Sequence, residues 1–200
     1  QENVGGIIVG VDPLPGHVLR QFKQLKAISK YGVGLDNIDL DTAEKLGIKV
    51  TRAVGTNNVS VAELTIALMF ALARHIPHVV AGVKAGGWTR VAGMELTGKT
   101  LGVVGFGQIG QEVAKRAKGL LMDVIAYSRS GDDQWFAERG VKRCDSLEEL
   151  LSTADVVSLH VPATPQTKHM INAESLKLMK PSALLLNTSR GELIDEEALY

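Results

Sequence analysis

The sequence contains one cysteine, Cys144, in 200 residues, which excludes an intrachain disulfide and suits a reducing compartment. It has no excess of either charge, because 22 lysines and arginines balance 22 aspartates and glutamates. A nucleic-acid binder would carry a basic surplus, so that class is set aside, although a small anionic ligand needs only a local patch of donors. No apolar run approaches the roughly 18 residues a bilayer requires; the longest is Leu64–Ala73. No basic segment followed by an apolar stretch opens the chain, no Cys/His/Asp spacing suggests a metal site, and no Gly-x-Ser-x-Gly elbow suggests a hydrolase. Repeats and low-complexity tracts are missing as well. These absences lead us to expect a soluble, cytoplasmic protein with no metal, no membrane and no nucleic acid among its partners. Position 1 is Gln, and the helical pattern after Asp195 stops before it can present an apolar face, so the chain reads as the middle of a longer protein.

What is present is an alternation of short β-rich runs with helical patterns, which predicts a parallel sheet with crossover helices. Expected strands are Ile7–Val11, Ala27–Lys30 and Lys49–Arg52, then Thr100–Val104, Val124–Tyr127, Val141–Arg143, Asp155–His160 and Ala183–Asn187. Expected helices are Pro15–Leu25, Leu40–Leu46 (closed by Gly47), Gln108–Lys118, Gln134–Arg139, Leu147–Ser152 (capped by Asp145 or Ser146), Ala173–Met179 and one after Asp195. Residues 53–58 are turn formers and mark a domain boundary, giving 1–57 and 58–200. Ser60 and Glu63 have the spacing of a capping box, and the helix they would start is apolar on every face through Ala73, so it must be covered by a neighbouring domain or subunit. His75 and His78, flanking Pro77, read as partners of that helix's C-terminal end.

The strongest chemical signal is Gly105-Phe-Gly107-Gln-Ile-Gly110, which follows an apolar strand and opens an amphipathic helix. In that context the three glycines predict a dinucleotide-binding turn. Gly105 makes the turn, Gly107 lets backbone approach a pyrophosphate, and Gly110 lets the helix lie close to the sheet. The amides of Gln108 and Ile109 then face the anion at the positive end of the helix dipole. At the end of the next strand, where an acid would bind the ribose 2′-hydroxyl of NAD, stand Ser128 and Arg129. A small hydroxyl beside a guanidinium suits a 2′-phosphate, so NADP is expected in preference to NAD. The opposing reading leaves Arg129 as a solvated loop charge and folds Asp132 or Asp133 back to the ribose.

A second constellation is Asn187-Thr188-Ser189-Arg190-Gly191 at the end of an apolar strand, where open α/β sheets bind ligands. Arg190 there could fork onto a carboxylate, although an arginine before a turn glycine is often only a surface charge. His160-Val161-Pro162 runs to the same edge, with His160 read either as a catalytic acid or as a hydrogen-bonded core residue. After the second strand, Gly32-Val33-Gly34 could form a nest of amides for a carboxylate, with Lys30 adding charge; a plain glycine turn is the bland alternative.

Taken in order, Lys30-Tyr-Gly-Val-Gly-Leu-Asp-Asn37, Asn58-Val-Ser-Val-Ala-Glu-Leu64, Leu96 to Gly110, His160-Val-Pro162 and Asn187 to Asp195 resemble the D-isomer-specific 2-hydroxyacid dehydrogenases. The likeness is nearest to the phosphoglycerate dehydrogenases and glyoxylate/hydroxypyruvate reductases. It implies a doubly wound Rossmann nucleotide-binding domain (58–200), part of a flavodoxin-like substrate domain (1–57) and a homodimer built largely on the former. It implies hydride transfer between NAD(P)H and C2 of a small 2-keto or 2-hydroxy acid, such as D-3-phosphoglycerate, hydroxypyruvate or glyoxylate. By the same resemblance, Val33 and Gly34 offer amides to the substrate carboxylate. Val161, Pro162, Thr167, Thr188 and Ser189 lie along the cofactor, and Arg190 is the catalytic arginine. Lys30, where phosphoglycerate-type enzymes have an arginine, favours a doubly anionic substrate. The family's proton-exchanging histidine and its acid are expected beyond Tyr200, and neither His160 nor His169 takes that role. A formate or phosphite dehydrogenase of the same fold and a dinucleotide-sensing corepressor are the rival readings.

Overall fold

A computed structural model of the chain describes residues 3–88 and 90–200. They form two compact units, divided between Asn57 and Asn58. In the first, strands β1 (Gly6–Val9), β2 (Ala27–Lys30) and β3 (Lys49–Arg52) lie parallel in that order, connected through helices α1 (Gly16–Leu19) and α2 (Leu40–Lys45). The Asp39 carboxylate accepts the Thr42 amide to cap α2, and Gly47, in the left-handed region at φ 68°, ends it. Leu19, Ile28, Ala43 and Ile48 form the centre of this unit's core.

The second unit contains helices α3 (Asn58–Ala73) and α4 (Ile76–Lys84), then strand β4 (Thr100–Val104) and helix α5 (Gln108–Gly119). There follow β5 (Asp123–Tyr127), α6 (Asp133–Ala137), β6 (Lys142–Arg143), α7 (Leu147–Thr153), β7 (Val156–Leu159), α8 (Ala173–Leu178), β8 (Leu184–Asn187) and α9 (Glu196–Leu199). All five strands are parallel in the order β6-β5-β4-β7-β8, so the chain reverses its direction of travel through the sheet at β4. That switch point is where doubly wound sheets open a crevice for ligands. Strand residues alternate between two apolar layers: Leu101, Val103, Val124, Ala126 and Val156 pack on the α3, α5 and α6 side, and Val104, Ile125, Val157 and Leu159 on the α7 and α8 side. At the end of the sheet opposite the crevice, the Asp155 carboxylate accepts the Thr100 amide and the Lys180 ammonium, both at 2.9 Å. Burial pushes its pKa up, but those donors win and hold it below the ordinary carboxylate value.

Four expectations change in the structure. Helix α1 is a single turn rather than Pro15–Leu25, because the chain tightens through Gln21 and Phe22 and returns Leu25 to the core. Helix α3 starts at Asn58, so Ser60 and Glu63 already sit inside the helix and form no capping box; Glu63 reaches Arg116 on α5 at 3.6 Å instead. Its burial is one-sided: Ala62, Thr65, Met69 and Ala73 are sealed while Leu64, Leu68 and Leu72 remain exposed. Finally, α4 follows directly, bent 66° from α3, with His75 in the left-handed region and Pro77 in the first turn. His78 therefore lies near the start of α4 rather than at the end of α3, since proline begins a helix as readily as it follows one.

Candidate functional site

Strand β4 delivers the chain into Gly105 at φ 93°, a conformation that costs a side-chain-bearing residue dearly. Space is equally restrictive. A Cβ on Gly105 would meet the His160 carbonyl oxygen at 2.6 Å, and one on Gly110 would meet the Gly105 carbonyl oxygen at 2.3 Å. Gly107, in contrast, has nothing within 4 Å of a hypothetical Cβ. It is also the N-cap of α5, and no side chain caps that helix. The turn therefore has two packed glycines and one bare one, with the uncapped amide end of a twelve-residue helix beside the bare one. This is the geometry a diphosphate needs, so the residues present fit a dinucleotide. Ile109 points into the core and Gln108 outward, its amide oxygen accepting Asn58 Nδ2 at 3.0 Å.

The other expected cofactor residues sit around the same sheet edge. Ser128 and Arg129 leave the end of β5, Ser128 half-buried and Arg129 exposed. The two acids that could have competed for the ribose are committed elsewhere. Asp132 caps α6 by accepting the Trp135 amide at 2.9 Å, and Asp133 pairs with Arg143 at 3.1 Å. Val161 packs under Gly105. Thr167 closes the loop after it, donating its hydroxyl to the Pro162 carbonyl at 2.7 Å and accepting the Thr164 amide at 2.8 Å.

At the end of β8 the small hydroxyls are spent on structure. Ser189 Oγ donates to the Leu159 carbonyl at 2.8 Å, tying β8 to β7. Thr65 Oγ1 gives its proton to the Val61 carbonyl, so its 3.0 Å contact with Thr188 is one in which Thr188 donates. With their protons spent, the two hydroxyls can meet a ligand only as acceptors. Asn187 Nδ2 donates to the Arg190 carbonyl at 2.7 Å, and the Arg190 guanidinium donates to the Ser189 carbonyl at 2.9 Å, so the arginine leaves a braced turn at the ligand edge of the sheet.

His160 follows β7 directly, next to Gly105. Its Nε2 contacts Ser158 Oγ at 2.9 Å, while Nδ1 is sealed from solvent without a partner. Burial pushes its pKa down to about 4, so the ring is neutral near pH 7, which favours the core reading over an imidazolium acid. The unfolded chain regains the ordinary value of 6.5 and takes up the proton first. Stability should therefore fall as pH drops from about 6.5 to about 4, by up to about 3 kcal/mol, and this contribution should be flat above that window. Urea midpoints measured from pH 4 to 7 should show a slope that His160→Gln removes; an unchanged slope in the variant would assign the loss to other groups.

In the first unit, Gly32 carries the positive φ, 130°, of the Gly32-Val33-Gly34 turn, and Arg52 donates to the Val33 carbonyl at 3.1 Å. Lys30, expected to contact substrate, is buried. Its ammonium donates to Asn37 Oδ1 at 2.7 Å and to the Gly10 carbonyl, and Asn37 in turn donates to the Asp12 carbonyl at 2.6 Å. Its visible work is to lash the turn carrying Val33 and Gly34 to the loop after β1. Among the described residues, no group of His, Cys, Asp or Glu is placed to hold a metal ion.

With this geometry in hand, residues 66–200 match the family described as D-isomer specific 2-hydroxyacid dehydrogenase, NAD binding domain. The chain belongs to this family. It is 47% identical over 185 residues to the D-3-phosphoglycerate dehydrogenase of Methanocaldococcus jannaschii, covering 92% of this chain and 35% of that protein. It is likewise 47% identical over 185 residues to the hydroxypyruvate reductase of Thermotoga maritima, covering 92% of this chain and 59% of that one. Among solved structures, the D-lactate dehydrogenase of Aquifex aeolicus complexed with NAD and lactic acid superposes with a TM-score of 0.89 at 38% identity, covering 100% of this chain and 60% of that one. The chain thus spans between about a third and three-fifths of the length of these 2-hydroxyacid dehydrogenase relatives. Membership in the family makes the Gly105–Gly110 turn part of an NAD-binding domain, in line with its three unlike glycines.

Proposed function

We propose that the protein transfers a hydride between NAD(P)H and C2 of a small 2-keto or 2-hydroxy acid of the phosphoglycerate, hydroxypyruvate or glyoxylate type. The observation that carries this reading is the Gly105–Gly110 turn, open only at Gly107, at the switch point of a sheet whose β8 leads into the turn carrying Arg190. The dinucleotide supplies or accepts the hydride. Gln108 and Ile109 bind its diphosphate through their amides, and the segments 161–167 and 188–189 border it. Arg190 binds the substrate carboxylate and C2 oxygen and stabilises the negative charge that grows on that oxygen. Within the first unit, the proposed carboxylate donors are the amides of Val33 and Gly34, on a turn held by Lys30. Cofactor-paired turnover of hydroxypyruvate, glyoxylate and phosphohydroxypyruvate tests the reading. Inactivity on all three with both cofactors would sink it, and turnover of formate or phosphite instead would move the protein to another branch of the same architecture.

NADP is the proposed preference. It is supported by Ser128 and Arg129 at the end of β5 and by the prior commitment of Asp132 and Asp133 to a helix cap and an ion pair. Ser128→Asp should swing the ratio of kcat/KM toward NAD by at least roughly tenfold, because a carboxylate accepts the ribose hydroxyls and repels a 2′-phosphate. A ratio that stays put would show that position 128 does not face the ribose. A homodimer is also proposed, supported by the exposed Leu64, Leu68 and Leu72 stripe on α3, and cytoplasmic residence is supported by the single buried thiol of Cys144.

A further inference from the structure

Phe106 is the middle residue of the Gly105–Gly107 turn, yet its side chain is buried rather than offered to a ligand. Its ring stacks on Phe136 at 5.1 Å and meets the edge of Trp135 at 5.4 Å, both on α6. The guanidinium of Arg139, just past the end of α6, lies 4.3 Å from the centroid of the Trp135 ring. Arg139 Nε donates to Gln111 Oε1 at 3.2 Å, and Gln111 Nε2 donates to the Phe106 carbonyl at 3.3 Å. The contacts thus close on themselves, from the Phe106 ring to Trp135, Arg139, Gln111 and back to the Phe106 backbone. Trp135 also sits on the loop that leaves β5: a Cβ on Gly131 would lie 2.5 Å from the indole, and Asp132 caps the Trp135 amide.

We propose that Phe106, Gln111, Trp135 and Arg139 are positioning residues that lock the diphosphate turn to the 128–132 loop, so that the adenosine-diphosphate half of the dinucleotide meets one preorganised surface. The proposal rests on the dinucleotide reading of this unit and adds four residues to it, none of which touches the ligand through its side chain. Three of these residues, Phe106, Gln111 and Arg139, line a surface cavity of about 310 Å³ that also includes Lys115 and Lys118. A separate anion site there is disfavoured because two of its three cations already serve as struts. Lys118 donates to the Arg139 carbonyl at 2.9 Å, and Arg139 serves Gln111, the Trp135 carbonyl and the indole face. Preorganisation acts on binding, since a turn already held in place costs no ordering when the ligand arrives.

The test uses the full-length protein and calorimetric titration with NADH, NADPH, AMP and nicotinamide mononucleotide. Arg139→Met and Trp135→Leu alter exposed or half-exposed side chains, so the fold should survive both. Each is expected to weaken the preferred dinucleotide and AMP about tenfold, as expected for losing an edge-to-face and a cation–π contact. Nicotinamide mononucleotide binding and kcat at saturating cofactor should move less than about twofold. Trp135→Phe should recover most of the loss. The double variant should be little worse than either single one, because opening a closed circuit twice costs no more than opening it once. Variants that lose thermal stability but bind dinucleotide and AMP like the parent would reduce the circuit to a structural brace and overturn the proposal. Equal weakening of both half-ligands would overturn it too. A parent protein that binds neither dinucleotide would instead bring down the underlying cofactor reading.

Discussion

Arg190→Gln is expected to lower kcat/KM for the keto acid by roughly 10²- to 10³-fold, equivalent to about 3–4 kcal/mol of lost transition-state stabilisation. The size follows from the two things a guanidinium can do at the end of β8. It grips a carboxylate with two parallel N–H donors, which fixes the distance and face of C2, and it places positive charge where the C2 oxygen gains electrons. Glutamine retains one weak donor and no charge. The loss should fall more on chemistry than on folding, because the guanidinium gives the turn a bond to the Ser189 carbonyl while three further bonds hold it without the guanidinium. Asn187 donates to the Arg190 carbonyl, Ser189 Oγ to Leu159 and the Ser189 amide to Asn187 Oδ1. Dinucleotide affinity should accordingly stay within a few-fold. Arg190→Lys separates the two contributions: a point charge keeps part of the electrostatic gain but cannot fork, so its activity should lie between those of the parent and of glutamine. A glutamine variant within about threefold of the parent would remove Arg190 from the chemistry.

The parts of this fold that could be read from sequence are those whose signal is local. β4 and the start of α5 fall where the apolar run, the three glycines and the helical period place them, since each is set by neighbours a few residues away. The same holds for Ser146, one of the two residues expected to cap the helix from Leu147, whose side chain does cap it. Sequence and structure diverge where one local signal has two meanings. His75-Ile-Pro77 looks like the end of a helix, yet it is a sharp corner between two, made by a histidine in the left-handed region with no glycine to mark it. Ser60 and Glu63 satisfy a capping pattern, but α3 begins one residue after Asn57 and the pattern is passed over. What could not be read at all depends on partners far along the chain. Lys30 is buried because carbonyls at Gly10 and Asp12 come together around Asn37, and Phe106 is buried because residues 135 and 136 come to meet it. The candidate site divides the same way: its glycines and its arginine have a local signature, whereas the braces behind them do not.

Alanine at each glycine of the turn should give three different phenotypes, and the contrast tests the geometry more sharply than any single loss. At Gly105 the new methyl meets the His160 carbonyl oxygen at 2.6 Å and Val161 Cγ1 at 2.7 Å, on a backbone at φ 93°. The left-handed conformation costs about 1–2 kcal/mol and the overlap about 1–3 kcal/mol, so Gly105→Ala should lose about 2–5 kcal/mol of stability. At Gly110 the methyl meets the Gly105 carbonyl oxygen at 2.3 Å and Val103 Cγ1 at 3.0 Å, with φ in the ordinary helical range. There α5 must slide off the sheet, so stability and dinucleotide affinity should fall together. At Gly107 nothing lies within 4 Å, so the methyl is free of the protein and stability should change by less than about 1 kcal/mol, the scale of an N-cap substitution. The only atoms it can collide with are those of the ligand, and dinucleotide affinity should drop by at least roughly tenfold, the scale of losing one charge-assisted hydrogen bond to a displaced phosphate. Urea unfolding paired with NADH and NADPH titration of the three variants resolves the pattern. Parent-like binding by Gly107→Ala would mean that the diphosphate does not approach the open face of this turn, whatever the other two variants do.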